Sequence, residues 1–302
     1  MMKKIISVTI LIAWIVGFSI GFSKAYNKTD DQSLVKSVVW EVTGPNIEKP
    51  SYLVGTMHLM CEKDFAISPK IKSIYKKSEQ AYFELDFDDP DLNSQMMAAM
   101  VAKEPLKERF SEEQYAQFAG FLEGHSQYKI EMFEQLEYIA IISALTVESL
   151  ACSNIKTLDN ELTNLAQKLD MPIYGLETVA DQMQAVAVMN PKKGQLMSEE
   201  ELAMFTELDQ VLNKMVELYQ QEDIVGMFDF MANYPGSVDN WDEVKRILFD
   251  DRNKNWAAKI PGIAQAKPTV FAFGAGHLAG EQGVIQLLRD AGLTVKPIME
   301  LN

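Results

Sequence analysis

The sequence predicts an α/β protein with a central mixed sheet built from both ends of the chain and a large helical insertion in the middle. Three observations carry that prediction. Strand-like runs bracket a helical segment near residues 38–87, and again near 269–298. The chain between them, about 91–260, is mostly helical in its spacing. No Pro/Gly/Ser-rich linker or low-complexity run divides the two, so one domain over 37–302 with a helical subdomain over about 91–260 is the simplest organisation.

Residues 38–42 are β-branched and aromatic and read as a strand, closed by Gly44, Pro45 and Asn46. A second short strand over 52–54 ends at Gly55. Residues 69–78 have helical spacing, with Pro69 suited to the first turn. Residues 81–87 alternate and are aromatic-rich, which predicts a strand. The middle opens with a Met- and Ala-rich helix over 91–101. Ser111 and Gln114 match a capping box that starts a helix to about residue 123. Residues 134–152 are apolar on one face, and 157–169 repeat Leu158, Leu162, Leu165 and Leu169 at helical spacing. Residues 172–177 read as a strand entering a turn, with Thr178 as the cap of a helix to residue 189. The acidic run from Ser198 to Glu201 starts a helix to about 221, and 223–231 and 241–259 add two more. The buried-type strand 269–273, a helix over 281–291 stopped by Gly292, and the strand 294–298 complete the chain.

Residues 1–25 stand apart from the fold. Lys3 and Lys4 precede an apolar run from 5 to 22, and Ser23-Lys24-Ala25 is a small-x-small pattern, so the segment reads as a secretory signal peptide cut after Ala25. An uncleaved anchor helix is the alternative, because the run is long for a signal peptide. Either reading places the body outside the cytoplasm, periplasmic or secreted, and touching a membrane only through this segment. Polar residues over 26–36 follow as a flexible leader. Cys61 and Cys152, the two cysteines of the chain, then predict one disulfide. Lys plus Arg number 28 against 43 Asp plus Glu, a net charge of −15 that repels phosphate backbones and disfavours nucleic acid as a partner.

The chemistry concentrates in a short repeat. Gly55-Thr56-Met57-His58-Leu59 follows one predicted strand and Gly274-Ala275-Gly276-His277-Leu278 follows another. Two of only three histidines therefore sit in Gly-x-x-His-Leu, just past the carboxyl end of a strand, where open α/β sheets build their sites. Glycine permits a sharp turn there, and imidazole binds transition metals or acts as a general base. A lone histidine at a turn more often serves only the backbone; a matched pair points to a shared site. Glu84 is the candidate third ligand: a carboxylate amid Tyr82, Phe83, Leu85 and Phe87 is costly to bury without a cation or donor. Strand alternation would set Asp86 on the same face, and both on a solvent-facing edge is the plain alternative. Glu177, at a strand-to-helix switch, is either a site carboxylate or an ordinary first-turn acid. Arg252 is either an oxyanion clamp or part of a solvated helix face. His125 reads as a plain loop residue. The helical methionines, Met215, Met227 and Met231 among them, read first as core filling and second as an adaptable peptide groove.

At these residues the chain resembles the TraB/GumN family, which includes the Tiki proteins. Tyr52-Leu53-Val54-Gly55-Thr56-Met57-His58-Leu59 is similar to the family's first Gly-x-x-His block, and Phe273-Gly274-Ala275-Gly276-His277-Leu278-Ala279-Gly280 to its second. Phe83-Glu84-Leu85-Asp86 resembles the acidic strand. Gly175-Leu176-Glu177-Thr178 with Gln182, and Asp251-Arg252-Asn253 with Trp256, resemble two further blocks. The likeness runs from about 38 to 298. It implies an α/β core shared with erythromycin esterases and haem-binding ChaN-like proteins, and a divalent-metal-dependent peptidase with Mn or Co favoured and Zn as a third option. His58, Glu84 and His277 would hold the cation, with Glu177 and Arg252 in support.

The resulting expectation is an exported metal-dependent hydrolase acting on a peptide or small-molecule substrate, its oligomeric state open. Its rival is a non-catalytic exported protein that sequesters a peptide or haem in a groove between sheet and helices.

Overall fold

The computed structural model describes residues 35–150, 152, 154–190, 199–233 and 241–299. Residues 1–25, read above as a signal peptide, the expected leader up to residue 34, and Ser198 lie outside the described residues.

Six strands form one sheet. They are β1 (Val39–Thr43), β2 (Ser51–Thr56), β4 (Gln80–Phe83), β6 (Ile173–Gly175), β7 (Thr269–Gly274) and β8 (Thr294–Pro297), in the spatial order β6-β4-β7-β2-β1-β8. A separate two-stranded ribbon pairs β3 (Met60–Cys61) with β5 (Ile155–Lys156). Strands β6, β4, β7 and β2 are mutually parallel, whereas β1 is antiparallel to both β2 and β8. The sheet is therefore mixed, and its strands come from both ends of the chain. Parallel strands share one carboxyl edge, which places the segments following β2, β4, β6 and β7 side by side.

The helices are α1 (Pro69–Lys77), α2 (Leu92–Ala99), α3 (Leu106–Arg109), α4 (Glu112–His125), α5 (Tyr138–Ser149) and α6 (Leu158–Lys168). They continue as α7 (Val179–Val186), α8 (Glu199–Gln220), α9 (Ile224–Asn233), α10 (Trp241–Lys245), α11 (Asp251–Ala266) and α12 (Val284–Asp290). Among the described residues, no helix is long and apolar enough to cross a membrane. Local chemistry explains several starts. Ser111 and Gln114 form a reciprocal capping box at α4, and Thr178 with Asp181 does the same at α7. Pro69 opens α1, with Ser68 accepting from the Ile71 N–H.

Strands β2 and β7 are buried along their whole length, as the central position of a covered sheet requires. Their side chains join the main core with Trp40, Phe83, Trp256 and Leu288. The helical middle adds a second core around Phe118, Leu122, Ile141, Leu208 and Leu212. Lys70 ties the two chain ends together: its ammonium meets Glu222 and donates to the Ile298 carbonyl at 3.1 Å.

Two departures from the sequence reading shape the site. The strand expected over 81–87 stops at Phe83, because beyond the Phe83–Gly175 pair the backbone of Leu85 and Asp86 folds in against Gly175. A Cβ on Gly175 would lie 2.7 Å from the Asp86 nitrogen, so only glycine permits that bend. Glu84 thus lies past a strand end and not within a strand. Asp86 turns into its own loop, accepting from the Asp88 N–H at 3.0 Å. The helix expected over 241–259 is broken by a π-helical turn, Arg246–Asp250, and then runs on to Ala266 through Pro261.

Candidate active site

The carboxyl edge of the parallel strands delivers the predicted residues in order. Glu177 follows β6, Glu84 follows β4, His277 follows β7 and His58 follows β2. Arg252 enters from the first turn of α11, just after the π-helical turn, whose Leu248 carbonyl accepts from its Nη1 at 3.0 Å. His58, Glu84, Arg252 and His277 are all buried. A Cβ built on Gly274 would sit 2.9 Å from His58 Nε2, 3.4 Å from Glu84 Oε1 and 3.7 Å from His277 Cδ2. The two imidazoles therefore lie closer together than the ~8 Å that a shared centre allows.

Arg252 is the hub. Its Nε donates to Glu177 Oε2 at 2.9 Å, and its Nη2 donates to Glu177 Oε1 at 2.5 Å and to Glu84 Oε2 at 2.8 Å. Its Nη1 reaches His277 Nε2 at 3.3 Å as well as the Leu248 carbonyl. Those contacts occupy all of the donors a guanidinium has. The side chain also stacks on Trp256, 4.7 Å from the ring centre. Arg252 is thus fully engaged in holding the two carboxylates, and no N–H remains to clamp a substrate oxygen. Gln182 bridges the same carboxylates, 3.2 Å from each.

Each histidine has a fixed orientation. His58 Nδ1 lies 2.8 Å from Asp159 Oδ2, so its N–H donates there and Nε2 faces Glu84 Oε1 at 3.8 Å. Thr56 holds the other oxygen of Asp159 at 2.9 Å. His277 Nδ1 is hydrogen-bonded to Asn253 Oδ1. The Asn253 amide nitrogen donates to the Gln282 carbonyl at 2.8 Å, which fixes the amide and makes His277 Nδ1 the donor. His277 Nε2 is then an acceptor, and it accepts from Arg252.

The electrostatics agree with a neutral His277 and, in the metal-free protein, favour a proton on both nitrogens of His58. Burial disfavours a charged His58, but the Asp159 and Glu84 carboxylates together outweigh it and hold the pKa above the usual imidazole value. Burial, then the charges of Arg252 and His58, drives His277 well below that value and keeps it neutral. Burial raises Glu177 despite the opposing pull of Arg252. Arg252 is opposed by burial and held above its ordinary value by Glu84 and Glu177.

A divalent cation would find two converging donors. His58 Nε2 and Glu84 Oε1 are 3.8 Å apart, within the about 3–4 Å that separates two ligands of one ion. His58 donates its other nitrogen to a carboxylate, the usual support of a metal-ligating imidazole. The missing Cβ of Gly274 leaves space beside both donor atoms. These features fit a cation that keeps several waters. They do not form a closed tetrahedral site, because His277 Nε2 is turned to Arg252. Among the described residues, no three His, Cys, Asp or Glu side chains are grouped as a ligand set.

Other predicted residues fall elsewhere. His125 is exposed at the end of α4 and stacks on Phe121, with ring centres 4.9 Å apart. Met57, Met215, Met227, Met231 and Phe249 line a pocket that reaches His58 and Gly274. Cys61 and Cys152 are bridged, with Cα atoms 5.9 Å apart. The bridge adjoins the β3–β5 ribbon, which joins the segments carrying His58 and Asp159. Sequence reasoning missed Asp159 and the role of Asn253. Asp159 resembles any first-turn acid, and its partner is 101 residues away. Asn253 stands beside Arg252 in a recognised block, and that adjacency was the available signal.

Comparison with known proteins gives a consistent picture. The model of the TraB/PrgY/gumN family matches residues 38–297. "Metalloprotease TIKI1" of Danio rerio is 22% identical over 318 residues, covering 88% of this chain and 64% of the relative. "Metalloprotease TIKI2" of Danio rerio is 22% identical over 324 residues, covering 89% and 62%. "Metalloprotease TIKI1" of Xenopus tropicalis is 22% identical over 325 residues, covering 87% and 62%. This chain therefore spans less than two thirds of the length of these curated relatives. No solved structure matches it significantly.

Proposed function

The chain belongs to the TraB/PrgY/gumN family, and from that premise we propose that it is an exported hydrolase that cuts peptide bonds with a divalent cation, Mn or Co. The observation that carries the reading is the buried pair of His58 Nε2 and Glu84 Oε1, 3.8 Å apart over the bare floor of Gly274. The metalloprotease names of distant relatives support the same reaction class. Export is supported by the composition of residues 1–25 and by the Cys61–Cys152 bridge.

His58 and Glu84 would hold the cation, with water completing its shell, while His277, turned to Arg252, borders the site. When bound, a divalent cation supplies Lewis acidity, activating water and polarising a carbonyl. Asp159 fixes the His58 ring and holds its Nδ1 proton, so Nε2 is the nitrogen that would meet a cation. The Gly274 N–H donates to Glu84 Oε1 at 2.8 Å, and Arg252 holds the other oxygen, so the carboxylate cannot rotate away. Glu177, raised by burial, is the group in the site suited to carry a proton. Arg252 contributes its field to developing negative charge, while its hydrogen bonds position Glu84 and Glu177.

A second reading has its own observation. The His58–Asp159 pair is also the geometry of an oriented general base, with no cation needed. One experiment separates the two. The full chain is assayed on a mixed peptide substrate with Mn, with chelator, and as Glu84→Gln. The metal reading expects chelator to abolish cleavage and Glu84→Gln to lower it by about a hundredfold or more while circular dichroism is unchanged. Cleavage that survives chelator sinks the metal role and leaves the general base. Full activity in Glu84→Gln contradicts the metal reading, and full activity in Asp159→Asn contradicts the general base.

A further inference from the structure

The pocket beside His58 has reactive donors at one end and thioethers at the other. From that layout we propose that it receives a long apolar side chain of the substrate, of the methionine or leucine class, next to the bond that is cut. The proposal rests on the hydrolase reading and adds the substrate class to it.

The floor is the backbone of Gly274, Ala275 and Gly276. At Gly274 a Cβ would sit 2.9 Å from His58 Nε2. At Gly276 it would meet Met231 Cε and Phe249 Cε1, each at 3.0 Å. The strip therefore leads from the His58 imidazole to the Met231–Phe249 wall, and two absent side chains keep it open. Met57 follows β2, Met215 comes from α8, Met227 and Met231 from α9, and Phe249 from the π-helical turn. Four separate segments thus turn apolar groups onto one space beside the reactive pair.

The lining is selective by its chemistry. Among the described residues that line it there is no Asp, Glu, Lys or Arg, and the Thr56 hydroxyl is committed to Asp159 at 2.9 Å. A charged substrate group placed there would lose its hydration with nothing to replace it. Methionine walls are unbranched and polarizable, so they adapt to a long flexible side chain. Each methylene lost from such a side chain lowers discrimination by about tenfold or more in an apolar pocket.

The test uses the full chain labelled with 13C at the methionine methyls. N-acetyl amides of methionine, leucine, alanine, aspartate and lysine are titrated, and the methyl signals are followed. The methionine and leucine amides are expected to shift the Met227 and Met231 signals saturably. The alanine amide should bind about tenfold or more weakly, and the charged amides weaker still. Met231→Trp fills the pocket and should weaken the methionine amide by about tenfold or more; if that variant does not fold, the wild-type ranking decides the matter alone. Equal binding of lysine or aspartate amides, or no shift at any pocket methyl, overturns the proposal. A parallel digestion of mixed peptides with Mn or Co keeps the two claims distinct. Apolar amides that bind while no peptide is cut overturn the hydrolase reading and uphold the pocket. Peptides cut with no preference for a neighbouring apolar residue overturn the pocket and uphold the hydrolase.

Discussion

Replacing Arg252 with methionine should be the most damaging single change at the site. The guanidinium meets Glu84 and Glu177 at 2.5–2.9 Å, and all three side chains are only 5–6% exposed, so solvent screens little of the interaction. Methionine fills part of the stem volume but leaves two carboxylates buried without their cation. Breaking a buried pair from one side costs about 3–5 kcal/mol. At about 2–4 °C per kcal/mol for a chain of this size, the melting temperature should fall by about 6–20 °C. Urea unfolding at two pH values adds a signed check. Burial already raises Glu177 in the native protein, and removing the Arg252 charge raises it further. A group with a raised folded pKa adds stability that is full below its unfolded value, near 4.3, and is lost as pH rises through the folded value. The deficit of Arg252→Met should therefore be smaller at pH 5 than at pH 7.5. A loss under about 1 kcal/mol, or a deficit independent of pH, would refute the hub role.

Two further outcomes follow from the same geometry. In metal-free protein, nuclear magnetic resonance titration should find His58 above the ordinary 6.5 and Asp159→Asn should bring it below that value, because burial and the Arg252 charge then outweigh the remaining pull of Glu84. The sign is that of any group with a raised folded pKa: wild-type stability relative to Asp159→Asn should grow as pH falls toward and below 6.5 and shrink as it rises through the His58 value. The Cys61–Cys152 bridge spans a sequence separation of 91, so Cys61→Ala/Cys152→Ala should lose about 4–5 kcal/mol by chain entropy, read by urea unfolding; an unchanged midpoint contradicts it.

What was legible in the sequence was local. A buried strand ending in glycine, with histidine three residues on, announces itself at both His58 and His277. Glu84 stood out because a carboxylate among Tyr82, Phe83, Leu85 and Phe87 needs an explanation. Its strand was overextended because alternation continues through Phe87, while the bend at Phe83 is set by the close approach to Gly175, 92 positions away. Asp159 was invisible for the same reason. Its segment is an ordinary amphipathic helix start, and only the tertiary fold brings it under His58. Arg252 was found, but its role depends on counting its partners, which come from four elements. The π-helical turn that aims it has no pattern in hydrophobic spacing, and β3 and β5 are too short for one.

The most direct test of the central claim is elemental analysis of the purified full chain, comparing wild type with His58→Ala and Glu84→Gln after loading with Mn or Co and desalting. The account predicts about one bound ion per chain in wild type and loss of it in both variants while they remain folded. Equal metal retention in the variants, or none in a folded wild type, would contradict a cation held by His58 and Glu84.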